Sequence, residues 1–218
     1  MGGSHPTTSR NSAITRISPS ARRIRMGLKS GLSGRSSTAR YRAEDDRVNG
    51  ALAQVTALAA DMLRERGFVA TGGPATVRTA DGGRDTTHLP HKTVATRAGL
   101  GWIGHCALLV TPAFGPALRI SSVLTNAPLA HAVPIERSRC GTCRRCVDAC
   151  PAGAVTGRPW TAGIPRDHIF DAAACRKKAS ELATAQGIEE TICGICIFAC
   201  PWTQRYLRRS GVAPGDPR

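Results

Sequence analysis

Cys140, Cys143, Cys146 and Cys150 stand at the spacing C-x2-C-x2-C-x3-C, and Pro151 follows. Three thiolates at such short intervals can line a tight loop around one iron–sulfur cubane, each on its own iron. The fourth, beyond a turn of helix, points away from them and reaches a second cluster. A zinc site would instead need two ligand pairs separated by a longer stretch and converging on one tetrahedral ion. The spacing therefore favours iron–sulfur clusters. Cys193, Cys196, Cys200 and Pro201 repeat the last three positions of the run. Glu190 occupies the place of the missing thiolate, and Cys175 is the unassigned cysteine in that half. Exchange of the distal cysteines between halves then predicts two ligand sets. One is Cys140, Cys143, Cys146 and Cys200, and the other is Cys150, Cys175, Cys193 and Cys196. Of nine cysteines only Cys106 is left over.

Two cubanes with four thiolates each would lower the formal charge of +15 to about +11, which is still basic. Most of that charge is arginine, since Lys29, Lys92, Lys177 and Lys178 are the only lysines. Arginine suits phosphate and carboxylate partners. Residues 1–47 hold 10 basic and 3 acidic side chains, are rich in Ser, Thr and Gly, and lack an apolar period. They read as a disordered basic segment. The chain has neither a signal-peptide core nor an apolar run of membrane length, so no membrane partner and a cytoplasmic location are expected. In that compartment nine cysteines point to metal rather than to disulfides.

From Val48 the pattern becomes helical, with Val48, Leu52, Val55, Leu58, Ala59, Met62 and Leu63 at helical spacing and Gly67 at the cap. A short strand is expected over 67–70, a loop over 71–85, and a helix from His91 to Ala98. Gly99, Gly101 and Gly104 carry the spacing G-x-G-x-x-G of a dinucleotide-binding turn. That turn works only between a strand and a following helix, whose N-terminus meets the pyrophosphate. Here it follows a helix and precedes an expected strand, His105 to Val110. The dinucleotide reading fails on element order. Gly99 is left as a helix cap, with Gly101 and Gly104 permitting close backbone approach. Leu118, Ile120, Ser122 and Leu124 alternate as a further strand, so the middle of the chain reads as a small α+β unit.

His91-Lys92, AGLGWIG, LLVTP, FGP, VLT with APL, CGTCRRCVDACPAGA, DAAAC and ICGICIFACPW occur in that order. Together they closely resemble the epoxyqueuosine reductases and their shorter relatives with a double [4Fe–4S] cluster domain, over about residues 43–207. GRPW and the Gln204-to-Leu207 ending are most similar to the short relatives. The resemblance implies an α+β fold, with a partial reductase core over 48–134 and a ferredoxin-like two-cluster module over 135–207. A flexible tail would follow over 208–218.

The resemblance further implies an oxidoreductase in which clusters pass electrons from a redox donor protein to cobalamin, which reduces an epoxide on a tRNA nucleoside. Its proton-donating aspartate falls on Asp85, or on Asp81 if the loop is shifted; an ordinary loop aspartate beside Arg84 is the plainer reading. Gly104 and His105 lie where the family's cobalamin-contacting loop would be, although the family usually has lysine at the position of His105. Family members also carry a substantial N-terminal portion where this chain has its Arg/Ser-rich stretch. Cobalamin binding is accordingly expected to be weak or absent. The alternative function is a ferredoxin-like electron-transfer protein with no substrate of its own. Cys106 is expected to be a small buried hydrophobe.

Overall fold

The computed structural model describes residues 12–13, 39–75, 89–188 and 191–211. The described residues are α+β, and the first long element is helix α1, Ala39–Glu65. It begins upstream of the expected start at Val48, which corrects the expectation of disorder for residues 39–47. Local charge pairs support its first turns: Arg42 with Asp46, and Arg47 with Glu44. Long-range partners fix it further. Tyr41 is buried with Ala117 and Leu207, and Arg119 donates Nε–H to Asp45 at 2.6 Å. Burial, opposed by the Arg119 charge, pushes the Tyr41 hydroxyl up to about 12. Val48 and Leu52 face inward as the periodicity predicts, whereas Val55, Leu58 and Met62 lie on the exposed side.

Three strands form an antiparallel sheet in the order β1-β5-β2. They are β1 (Ser12–Ala13), β2 (Ala70–Gly72) and β5 (Val123–Thr125). β1 lies within the segment expected to be disordered, a second correction to that reading. Ala60 of α1 packs against Ala70 and Val123, which seats the helix on the sheet. The strand expected over 118–124 is shorter and opposite in phase. Val123 is buried and Leu124 exposed, while Leu118 and Ile120 join a different core without ladder bonds.

Helix α2 (His91–Arg97) ends where its sequence predicts. Gly99 adopts φ 66°, and the N–H groups of Gly99 and Leu100 close on the carbonyls of Thr96 and Ala95. The next stretch departs from expectation. It is a hairpin of β3 (Trp102–Ile103) and β4 (Leu109–Val110) rather than one strand from His105 to Val110. Its turn is closed by Gly104 N–H to the Leu108 carbonyl and Ala107 N–H to the Gly104 carbonyl, both at 2.9 Å.

The C-terminal half winds through α3 (Arg145–Asp148), α4 (Ala172–Thr184), α5 (Ile195–Ala199) and α6 (Pro201–Arg209). Asp171 caps α4 by accepting from Ala174 N–H at 2.9 Å. α3 packs directly on α5, bringing the two cysteine runs together. Apolar packing crosses the expected boundary near residue 134. Ala95, Ile103 and Leu109 share a core with Ile169, and α1 meets α6 through Tyr41 and Leu207. Among the described residues no helix is long and apolar enough to cross a membrane.

Candidate metal centre

Both cysteine runs use the same local device. In the first, Gly141 turns the chain at φ 58° and Cys143 N–H closes on the Cys140 carbonyl at 3.2 Å. α3 then carries Cys146, and Cys150 stands just beyond it with Pro151 blocking further helix. In the second, Gly194 at φ 104° opens α5, which carries Cys196. Cys200 joins α5 to α6, where Pro201 takes the first helical position. The Trp202 and Thr203 N–H groups at that helix start favour the Cys200 thiolate, but burial outweighs them and holds the thiol up at about 11.

The sulfurs act on one another within and across the two runs. Burial lifts Cys175 to about 11, with the Cys193 and Cys150 thiols adding to the rise. Cys196 is raised by burial and then by Cys193, Cys175, Cys146 and Cys150. Cys193 is raised by burial and by Cys150, against N–H groups of Ile195 and Gly194. The thiols that act on Cys200 are Cys140 and Cys146. So many sulfurs in a half-buried place resist ionising together, and a metal centre would take the place of their protons. Yet among the described residues no three His, Cys, Asp or Glu side chains converge on a point that could hold one metal ion. Tetrahedral zinc, with bonds of about 2.3 Å, would draw its sulfurs to about 3.8 Å from one another. A cubane spreads four thiolates over four irons and asks for no such convergence.

The β3–β4 hairpin covers the first run. Trp102 is 1% exposed, and its Nε1–H reaches Cys140 Sγ at 3.4 Å. The ring meets Trp202 edge to face at 5.4 Å, tying the hairpin to the second run as well. His105 is 3% exposed and donates Nδ1–H to the Cys143 carbonyl at 2.9 Å, leaving Nε2 buried without a hydrogen-bond partner. Cys106 packs on Cys146 in one buried cluster. This contact lowers Cys146 to about 7 and raises Cys106 well above its usual value, with burial adding to the rise.

Close packing explains the glycines of this turn. A Cβ on Gly101 would sit 2.2 Å from the Val110 carbonyl oxygen. One on Gly104 would meet Val110 Cγ2 at 2.7 Å and the sulfurs of Cys106 and Cys140 at 3.5 Å. Ala107 takes φ 56°, uncommon for a residue with a side chain. Lys92 donates Nζ–H to the Ala107 carbonyl at 2.8 Å, and burial pulls its ammonium below the usual lysine range.

Asp85 and Asp81 lie outside the described residues, as does Glu190. Gly104 and His105 are both enclosed, and strand alternation does not separate His105 from Cys106, because both sit in the turn and both are buried. Cys106 is buried as expected, but it touches a candidate ligand. Arg144 and Arg145 are exposed, and Arg205 lies 4.6 Å from the Trp202 ring centroid. The roles of Lys92, Trp102 and Cys106 at this centre are absent from the motif reading, since the contacts that create them span distant stretches of chain.

Comparison with known proteins agrees with this geometry. Residues 139–203 match the family described as a 4Fe–4S double cluster binding domain. The epoxyqueuosine reductase of Synechocystis sp. is 33% identical over 135 residues, covering 61% of this chain and 46% of that protein. The chain thus spans less than half the length of this curated relative. Among solved structures, an epoxyqueuosine reductase with an epoxyqueuosine-modified tRNA stem loop matches at TM-score 0.51 and 24% identity, over 72% of this chain and 39% of that one. A reductive dehalogenase, described for B12-dependent dehalogenation, matches at TM-score 0.60 and 18% identity, over 88% and 26%. The two structural matches speak for the fold. The chain is thus similar to part of the epoxyqueuosine reductases, and its residues 139–203 match a 4Fe–4S double cluster binding domain.

Proposed function

We propose that this chain is an iron–sulfur oxidoreductase unit that relays single electrons through two [4Fe–4S] clusters. Cys140, Cys143, Cys146 and Cys200 would hold one, and Cys150, Cys175, Cys193 and Cys196 the other. The observation that carries this reading is the pairing across the two halves. α3 packs on α5, and Cys146, Cys150 and Cys196 meet around one buried cluster that joins the two runs. When bound, such clusters supply one-electron chemistry at potentials tuned by hydrogen bonds and burial. The chain's part is to hold the thiolates, exclude water with the hairpin and place the two runs together through α3 and α5.

We read Gly104 and His105 as part of the cover over the first cysteine run rather than as cobalamin contacts. Both are enclosed, and His105 already uses Nδ1 on the Cys143 carbonyl. This favours, as a second reading, an electron-transfer protein that delivers its electrons to a partner. A tRNA substrate, as in the relative solved with a stem loop, and a redox donor protein are further partners consistent with the exposed arginines. The test is an anaerobic reductive titration followed by electron paramagnetic resonance, with and without added cobalamin. The proposal expects two one-electron reductions per chain and signals unchanged by cobalamin. A chain that accepts no electrons contradicts the relay, and tight cobalamin binding would favour the reductase over the carrier.

A further inference from the structure

Residues 102, 105 and 106 reach the three cysteines of the first run in register. Trp102 Nε1–H points at Cys140 Sγ, His105 Nδ1–H at the Cys143 carbonyl, and Cys106 packs on Cys146. The first falls on sulfur, and the third sets a thiol beside a candidate ligand. The hairpin is rigidly held for this purpose. Gly101 lies under Val110, the turn is closed by two backbone hydrogen bonds, and Lys92 ties down Ala107.

We propose that the β3–β4 hairpin sets the reduction potential of the cluster held by Cys140, Cys143, Cys146 and Cys200. Trp102 and Cys106 are its hydrogen-bond donors to the Cys140 and Cys146 sulfurs. The proposal rests on the two-cluster reading above. A donor aimed at a thiolate withdraws electron density from sulfur and stabilises the more negative, reduced cluster more than the oxidised one. One electron enters the cluster, and both donors keep their protons throughout. Cys106 is suited to this because it is buried against a candidate ligand and a thiol can donate a hydrogen bond. It is a positioning residue, acting through the Cys146 sulfur.

The test uses the full chain loaded anaerobically with iron and sulfide, as wild type, Cys106→Ala, Cys106→Ser and Trp102→Phe. Iron and sulfide content is measured first, followed by a mediated redox titration. All four proteins should hold both clusters. In Cys106→Ala one cluster should take its electron about tenfold less readily, a fall of about 59 mV for a one-electron couple, while the other is unmoved. Cys106→Ser keeps a donor and should recover part of the loss. Trp102→Phe should shift the same cluster in the same direction. Unmoved potentials in Cys106→Ala with both clusters present would overturn the hairpin's role and leave the two-cluster reading standing. Loss of one cluster from both Cys106 variants would make Cys106 a ligand and overturn the proposal too. A wild type without clusters would overturn both readings.

Discussion

Cys175 lies on α4, well before the second cysteine run, and no spacing rule reaches it. Its position beside the Cys193 and Cys150 thiols gives it a meaning that the sequence supplies only by counting. If it replaces the thiolate missing at Glu190, Cys175→Ala should lose about half the iron and keep the spectrum of the other cluster. Iron analysis with electron paramagnetic resonance reads this directly. Full iron content in Cys175→Ala would remove it from the ligand set. Cys106 shows the opposite case. Its burial follows from its chemical type, but its contact with Cys146 depends on a turn whose geometry no local signal announces.

At the scale of elements, what was legible was local. α2 and its Gly99 cap follow from a short helical pattern and a terminal glycine, and both cysteine loops follow from spacing. The hairpin was hidden because His105 to Leu108 read as continuous strand and an alanine gives no hint of a positive φ. Lys92 and the first cysteine loop, both distant in sequence, stabilise that turn. The early start of α1 was hidden for the same reason, since the partners of Tyr41 and Asp45 lie at Ala117, Arg119 and Leu207.

Two glycines test this element-scale account. Gly101→Ala drives a Cβ into the Val110 carbonyl and should destabilise the protein by about 2–3 kcal/mol. Gly50 lies inside α1 with nothing within 4 Å of a built Cβ, so Gly50→Ala should stabilise by about 1 kcal/mol. Chemical denaturation of the two variants checks both signs.

Over the whole molecule, the candidate clusters draw ligands from both ends of the C-terminal half. Apolar packing joins that half to α1, to α2 and to the β3–β4 hairpin. Removing the metal should therefore loosen more than residues 139–203. After anaerobic chelation, amide exchange should rise in α3 and α5 and also in the β3–β4 hairpin, while the β2–β5 pairing with α1 keeps most of its protection. Uniform protection before and after chelation would show that the metal carries no share of the fold.

The central claim is that eight thiols form two cubane sites, and its most direct measurement is the iron and acid-labile sulfide content of the anaerobically reconstituted chain. The account predicts about eight irons and eight sulfides per chain, with a brown charge-transfer band. One or two zinc ions without acid-labile sulfide would contradict it.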